Sequence, residues 1–407
     1  MPTLFDPISV GAIAVSNRIV MAPLTRDRAG PRQVPTELMA TYYRQRASAG
    51  LIVSEATQIS AEGQGYLDTP GIYSPEQVAA WRIVTDAVHD AGGRMVVQLW
   101  HVGRISHVSL LPNGQPPVSS TSQRAIGKTF TSDGFVDVSA PRALRLDEMP
   151  RVVADYAHAA RCAIDAGFDG IEIHGANGYL LDQFMRDSIN DRSDAYGGSI
   201  ENRTRLLRDV MDAVVAEIGA DRTGLRLSPV TPSNGAGQDS DPHALFTRVV
   251  EHVAALKPAY LHLIEGQTGG PRDVAPFDYA ALRRCFKEIH PRGCWMVNNG
   301  YTRDMAERAV ESGEADLVAF GRPFIGNPDL VERLRSGAPL AALNQKTLYG
   351  GGAEGYTDYP ALESAKPDPT TGLTRPGRPR ERNPGRRSTK RARIEGECDG
   401  IYDPVFS

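Results

Sequence analysis

Three polar side chains with complementary chemistry follow one short apolar segment near the middle of the chain. His174, Asn177 and Tyr179 come directly after the run 169–173, Asp-Gly-Ile-Glu-Ile, which predicts a buried strand. An imidazole and a carboxamide can both donate hydrogen bonds to one oxygen atom, and a phenol adds a weak acid beside them. The alternative is a strand running into a helix N-terminus, with His174 satisfied in the core and Tyr179 packed. These three residues alone leave both interpretations equally open.

Eight short apolar runs are compatible with buried strands, and helical patterns lie between most of them. The runs are 19–21, 51–55, 95–100, 170–173, 224–227, 260–264, 295–297 and 317–320. Ser74 and Thr302 are predicted helix caps, and an apolar stripe at helical spacing predicts a helix over 206–218. This alternation predicts an α/β fold, a closed (β/α)8 TIM barrel. A doubly wound open sheet is the alternative, but no G-x-G-x-x-G motif follows an early strand.

Three further segments fall outside this alternation. Residues 4–18 predict an N-terminal β-hairpin lid, and residues 104–140 predict an excursion over the barrel mouth after the third strand. Residues 375–393 carry nine Lys or Arg and one acid, which is typical of disorder. We therefore predict a barrel domain over 1–365 and a basic, disordered C-terminal tail over 366–407. The tail could also be a nuclear signal or nucleic-acid patch, but a solvated tail is the favoured interpretation.

The composition restricts the class of protein. The chain has 407 residues, 41% of them hydrophobic, and a formal net charge of −4, which argues against general polyanion binding. Its four cysteines lie far apart, so no disulfide framework or zinc knuckle is predicted. The N-terminus lacks the features of a signal peptide, and no segment is apolar enough to span a membrane. We expect a soluble cytoplasmic protein, monomeric or homodimeric, that does not bind nucleic acid.

Polar groups cluster where the predicted strands end, which is where a barrel carries its active site. Gly300 and Gly321 allow close backbone approach, and Arg322 offers a bidentate fork, so a phosphate site is favoured after strands seven and eight. Thr25 and Gln98 suit a flat heterocycle with alternating carbonyl and N–H groups. Arg226 could stabilise negative charge on that ring, which together with the phosphate suggests flavin mononucleotide (FMN). A capped strand end and an inter-loop salt bridge remain the structural alternatives for Gln98 and Arg226.

Five motifs at ordered spacing resemble the old yellow enzyme family. They are NRIVMAPLTR at 17–26, QLWHVGR at 98–104, HGANGYLLDQF at 174–184, DAYGGSIENR at 194–203 and GRPFIGNP at 321–328. The resemblance covers about residues 3–362 and is closest to the bacterial N-ethylmaleimide reductase and nitrate-ester reductase branch. It implies an FMN-dependent ene-reductase driven by NADPH or NADH. Such an enzyme delivers hydride from flavin N5 to the β-carbon of α,β-unsaturated carbonyls, maleimides or nitroalkenes, and nitrate-ester reduction stays open.

The resemblance also implies a role for individual residues. His174 and Asn177 would bind the activating oxygen of the substrate, and Tyr179 would donate the proton to its α-carbon. The implied FMN contacts are Pro23, Leu24, Thr25, Ala56, Gln98, Arg226, Asn299, Gly300, Gly321 and Arg322. Tyr66, Trp100 and Tyr356 would shape the substrate pocket.

The same residues allow three alternatives to a flavoenzyme. A zinc site formed by His101, His107 and His174 is disfavoured, because no acidic ligands lie nearby and the resemblance points elsewhere, so no metal is predicted. A phosphate-binding barrel lyase or isomerase without flavin is the second alternative. A barrel that only binds ligands is the third.

Overall fold

Eight parallel strands close into a barrel in the computed structural model, which describes residues 1–362. The strands are β1 Ile8–Val10, β2 Ile13–Val15, β3 Ile19–Met21, β4 Leu51–Gln58, β5 Met95–Trp100, β6 Val118–Ser119, β7 Lys128–Thr131, β8 Gly134–Asp137, β9 Arg142–Ala143, β10 Gly170–Gly175, β11 Thr223–Leu227, β12 Tyr260–Ile264, β13 Cys294–Asn298 and β14 Leu317–Phe320. The barrel order is β3, β4, β5, β10, β11, β12, β13 and β14, and β14 pairs with β3. The predicted (β/α)8 barrel is confirmed, and each of its eight predicted strands is present.

Helices connect successive barrel strands and cover the outside of the barrel. They are α1 Glu37–Arg44, α2 Pro75–Asp90, α3 Met149–Asp165, α4 Leu180–Met185, α5 Ile200–Arg203, α6 Arg205–Ile218, α7 Pro242–Leu256, α8 Tyr279–Ile289, α9 Arg303–Glu311, α10 Arg322–Gly326 and α11 Leu330–Ser336. The predicted caps are confirmed: Ser74 forms a capping box with Gln77, and the Thr302 hydroxyl accepts from the backbone N–H of Met305. Each cap satisfies amide groups that the first helical turn leaves unpaired.

Strand alternation sets which side chains enter the barrel. On β10, Ile171 and Ile173 belong to the apolar layer between the strands and the helices. Successive strand residues point to opposite faces, so Glu172 and His174 face the barrel interior. The same alternation turns Arg226 inward on β11, because its neighbours Leu225 and Leu227 lie in the outer layer. The interior therefore becomes polar toward the C-terminal ends of the strands.

The N-terminal hairpin closes the opposite end of the barrel. β1 and β2 pair antiparallel, as predicted, and the side chains of Val10, Ile13 and Val15 join the apolar cluster of the barrel interior. The turn lies against the segment that precedes β11, where the N–H of Ala12 donates to the carbonyl of Asp221 at 2.9 Å. The hairpin lid thus covers the N-terminal ends of the barrel strands.

The excursion after the third barrel strand lies over the barrel mouth. It contains the antiparallel hairpin of β7 and β8, and the carbonyl of Phe130 accepts from the N–H of Leu67 at 2.9 Å. Ala125 and Val138 of this segment pack in one apolar cluster with Tyr179. The excursion is therefore a wall of the region that holds the predicted catalytic residues.

The predicted basic tail, 366–407, lies outside the described residues, and its role stays a prediction. Within residues 1–362, every helix is too short or too polar to cross a membrane.

Candidate active site

A cavity of about 360 Å³ opens at the C-terminal end of the barrel. Residues after β3, β12, β13 and β14 form most of its wall. The lining residues are Ala22, Pro23, Leu24, Arg226, Thr268, Gly269, Gly270, Asn298, Asn299, Gly300, Tyr301, Ala319, Phe320, Gly321, Arg322 and Pro323. Seven of the ten predicted FMN contacts, from Pro23 and Leu24 to Arg322, thus line one cavity.

Gln98 and Arg226 belong to a hydrogen-bonded layer inside the barrel, between β5, β10, β11 and β12. The Gln98 Nε2 donates to Glu172 at 2.8 Å, and His262 Nδ1 lies 2.8 Å from the other oxygen of the same carboxylate. Arg226 Nη2 donates to the side-chain Oδ1 of Asn298 at 3.0 Å. These side chains are almost fully buried, so each is held in one orientation by its partners.

The charges of this layer balance within the barrel. Burial alone would raise the pKa of Glu172, but His262, Arg226 and Gln98 lower it overall, so the carboxyl is ionised at neutral pH. Burial lowers the pKa of Arg226 to about 10 against the opposing effect of Glu172, and the guanidinium stays cationic. A buried cation and a buried anion thus compensate each other, since an isolated charge here would be strongly destabilising.

Four polar atoms toward the C-terminal end of the barrel have no hydrogen-bond partner among the described residues. They are the Thr25 hydroxyl, the Gln98 Oε1 and the Arg226 Nε and Nη1, all buried. Buried polar groups are normally paired, so these atoms mark a site for a ligand that offers complementary donors and acceptors. One amide acceptor, one hydroxyl and two guanidinium donors fit the edge of a flat heterocycle with carbonyl and N–H groups, as in FMN.

The cavity wall near β13 and β14 suits a phosphate. Gly300 has a φ of +65°, and an added Cβ would meet no atom within 4 Å, so its backbone is open to a ligand. Gly321 and Arg322 line the same cavity. The Asn299 side chain is bound to the loop after β12, because its amide donates to the carbonyls of Glu265 and Gln267 at 2.6 and 2.9 Å. Only its backbone therefore remains for a phosphate contact.

His174 and Asn177 present unpartnered donors at the end of β10. Both ring nitrogens of His174 and the Asn177 Nδ2 are buried without a hydrogen-bond partner among the described residues. Burial lowers the pKa of His174 well below its usual value, and the charges of Arg226 and His262 act in the same direction. A neutral His174 carries one N–H, so it can donate one hydrogen bond while the Asn177 amide donates another.

Tyr179 lies beside these donors in an aromatic cluster. Its ring is 5.2 Å from the His174 ring and 4.9 Å from Trp100, and its hydroxyl is 3.2 Å from that of Tyr66. Burial raises the pKa of Tyr179 to about 12. The phenol is therefore protonated at neutral pH and has a proton to donate.

Ala56 packs with the aromatic residues around Tyr179, whereas Tyr356 packs elsewhere. Ala56 follows a register shift in the pairing of β4 with β5 and packs in the same apolar cluster as Tyr66. Tyr356 instead stacks on Tyr42 at 4.0 Å, with the Arg28 guanidinium 4.3 Å above its ring. The placement of Tyr356 in the substrate pocket stays a prediction.

The histidines of the disfavoured zinc interpretation have other neighbours. His101 Nδ1 accepts from the N–H of Gly103, and His107 contacts Ser109. Across residues 1–362, no group of three His, Cys, Asp or Glu side chains could hold a metal ion.

Four residues of the site were not predicted from the sequence: Glu172, His262, Asn298 and Thr268. Two of them had a readable signal, because Glu172 and His262 each stand between apolar residues of a buried strand, at positions that alternation turns inward. Asn298 directly precedes Asn299 and Gly300, which are predicted to contact the phosphate. Thr268 lies in a loop, and its proximity to Asn177 depends on the closure of the barrel.

Known proteins share both the sequence and the fold of this chain. Residues 3–341 match the model of the NADH:flavin oxidoreductase / NADH oxidase family. The chain belongs to this family. The 12-oxophytodienoate reductase 1 of Oryza sativa subsp. japonica is 46% identical over 371 residues, which are 88% of this chain and 93% of the relative.

Solved structures show the same barrel. The old yellow enzyme homologue of Zymomonas mobilis is 48% identical, with a TM-score of 0.84 over 89% of this chain and 100% of that one. Morphinone reductase in complex with tetrahydroNAD is 44% identical, with a TM-score of 0.83 over 89% of this chain and 99% of that one. The family predicted from the motifs is confirmed, and the protein is a flavin-dependent oxidoreductase of the old yellow enzyme family.

Proposed function

We propose that this protein is an FMN-dependent reductase of activated alkenes that uses NADPH or NADH. The observation that carries the proposal is the group of buried, unpartnered donors on His174 and Asn177, beside the protonated phenol of Tyr179. Two donors that converge on one oxygen suit a carbonyl or nitro group. The relatives named as reductases, one of them in complex with tetrahydroNAD, support the same chemistry.

The residues of the barrel layer would hold the cofactor. Gln98 and Thr25 would bond the heterocycle, Arg226 would stabilise negative charge on it, and the backbone at Gly300 and Gly321 would approach the phosphate together with Arg322. Bound FMN would supply the two-electron chemistry, taking a hydride from the nicotinamide and passing it to the β-carbon of the substrate.

His174 and Asn177 would bind the activating oxygen and strengthen their hydrogen bonds as negative charge develops there. Interactions that tighten in the transition state accelerate a reaction, and one such donor contributes about 10²–10³ in rate. Tyr179 would then protonate the α-carbon. A phenol with a pKa of about 12 can do so because a carbanion-like carbon is far more basic.

The first test is the colour and turnover of the purified protein. A flavoprotein absorbs near ~450 nm, loses that absorbance with NADPH or NADH, and recovers it with cyclohex-2-enone while cyclohexanone forms. Colourless protein that cannot be reconstituted with FMN would support the lyase alternative. Yellow protein that neither nicotinamide reduces would support a barrel that only binds ligands.

Activity toward nitrate esters, the preference between the two nicotinamides, the division into 1–365 and 366–407, and the number of subunits stay predictions. A panel of enones, maleimides, nitroalkenes and nitrate esters, run with both nicotinamides, would decide the substrate class.

A further inference from the structure

The Asn177 side chain contacts a loop that its own motif does not include. The loop comprises residues 265–278, between β12 and α8. From it, the Thr268 hydroxyl donates to the Asn177 Oδ1 at 2.6 Å. The oxygen of an unprotonated carboxamide only accepts, so the hydrogen in this contact belongs to the threonine.

The backbone of Asn177 is already fixed by other contacts. Its N–H donates to the Ser228 hydroxyl at 2.8 Å, and its carbonyl accepts from the Asn234 amide at 2.8 Å. The residue has a φ of +58°, the left-handed conformation that asparagine tolerates. The main remaining freedom is rotation of the amide, which decides whether its oxygen or its nitrogen faces the catalytic region.

The two ends of this amide have opposite environments. The Oδ1 is paired with Thr268, whereas the Nδ2 is buried with no partner among the described residues. Rotation of the amide would direct an oxygen toward any carbonyl or nitro oxygen held by His174, and two acceptors repel each other. A hydrogen bond received at the amide oxygen also polarises the group and makes its N–H a stronger donor.

The loop holds Thr268 in place through several anchors. The Asn299 amide donates to the carbonyls of Glu265 and Gln267, which precede the threonine in the loop. The Thr231 hydroxyl donates to the carbonyl of Gly266 at 2.7 Å. The hydroxyl is therefore carried by a fixed loop, and a fixed donor orients its partner at little entropic cost.

We propose that Thr268 is a positioning residue for substrate binding, which holds the Asn177 amide with its N–H directed at the activating oxygen. This inference rests on the proposed function. Thr268 also lines the cavity assigned to the cofactor, but its hydroxyl donates to Asn177, so we expect it to act on the substrate through that amide. It also gives the 265–278 loop a part in substrate affinity.

The test compares Thr268→Val, which removes the hydroxyl at nearly constant shape, with Thr268→Ser, which retains it. Both are prepared in the parent and in an Asn177→Ala background, loaded with FMN. Two quantities are measured: the dissociation constant of cyclohex-2-enone from the oxidised protein, by flavin absorbance, and the rate of enone reduction. Flavin content and thermal midpoint report on folding.

Without the hydroxyl, the Asn177 amide loses the hydrogen bond that fixes its orientation, and one hydrogen bond contributes about tenfold to an equilibrium constant. Thr268→Val should therefore weaken enone binding and slow enone reduction about tenfold, whereas Thr268→Ser should stay within about threefold of the parent. In the Asn177→Ala background, Thr268→Val should have no further effect, since residues that act as a unit are not additive.

Additive losses in the double variant would overturn the proposal, because they would give Thr268 a role independent of Asn177. Parent-like binding by Thr268→Val would also overturn it. If Thr268→Val lost its flavin, Thr268→Ala would replace it under the same criteria. The proposed function is contradicted by a different result, namely a parent protein that reduces no activated alkene. If the parent is active, and enone binding is weakened by Asn177→Ala but not by Thr268→Val, only the inference about Thr268 is contradicted.

Discussion

Two regions at the C-terminal end of the barrel are built differently. One is the strand-borne layer of Gln98, Glu172, Arg226 and His262, and the other is the loop-borne group of Asn177 and Thr268. In the layer, Gln98, Glu172 and His262 are linked by hydrogen bonds of 2.8 Å, and the charge of Arg226 is balanced. Both regions also carry buried polar atoms without partners among the described residues: Gln98 Oε1 and Arg226 Nε and Nη1 in the layer, and Asn177 Nδ2 in the loop-borne group. The regions differ in what fixes those atoms. Strand geometry and balanced charge fix the layer, which suits a cofactor that stays bound, whereas the Asn177 amide is oriented by a hydrogen bond from the 265–278 loop.

The largest effect should come from the layer, through Arg226→Ala. This variant leaves Glu172 as a buried carboxylate without its cation, which costs about 3–5 kcal/mol of folding free energy. FMN affinity should fall by more than 100-fold, measured by titrating apoprotein with FMN, and the thermal midpoint should drop. Arg226→Lys is the matched control, because it retains the positive charge and removes the planar pair of guanidinium donors. FMN binding as tight as in the parent would show that the layer does not hold the cofactor.

Tyr179→Phe should affect only the substrate side. Enone reduction should slow by about 10²-fold, because no phenol then protonates the α-carbon. Reduction of a nitroalkene should suffer less, since the nitronate is stable enough to take its proton from solvent later. FMN content should match that of the parent. Equal activity of parent and variant on the enone would remove Tyr179 from the mechanism.

The smallest expected effect is a loss of folding stability as the pH falls, to which His174 and His262 contribute differently. Burial holds the pKa of His174 and of His262 below the ordinary value, although Glu172 opposes the shift at His262. Each imidazole therefore contributes stability that is present above pH 6.5 and is lost as the pH falls, because the unfolded chain takes up the proton first. Between pH 6.5 and 5.5 the loss should be roughly 1 kcal/mol for a fully shifted histidine.

Urea titrations of the FMN-loaded parent, His174→Gln and His262→Gln would measure that loss. His174→Gln should flatten the acid slope more than His262→Gln, since only His262 is paired with a carboxylate. A steeper slope in either variant would contradict the assignment of neutral imidazoles.

Much of this architecture could be predicted from the sequence because its signals are local. The runs 95–100 and 260–264 match β5 and β12, since buried strands need continuous apolar residues and end at polar ones. Glu172 is not among the predicted site residues although its strand is predicted, because continuous apolar character predicts the strand and only the alternation of side chains turns Glu172 inward. The contact of Thr268 with Asn177 joins residues 91 positions apart and has no local signal. Only the closed barrel brings these residues together.

Asn299 illustrates a different limit. The family resemblance implies a phosphate contact at Asn299, and its side-chain amide donates to the loop carbonyls of Glu265 and Gln267. Asn299 lines the cavity, as its position after a predicted strand suggests, but the partners of its side chain depend on the folding of the neighbouring loop.

The central claim is that His174 and Asn177 act on the substrate oxygen rather than on the cofactor. Anaerobic stopped-flow measurements of the parent and of His174→Ala test it directly, by recording flavin reduction by NADPH and then flavin reoxidation by cyclohex-2-enone. We expect reoxidation by the enone to slow by about 10²–10³-fold in His174→Ala, with a much smaller loss in flavin reduction. Equal losses in the two half-reactions would contradict the assigned role.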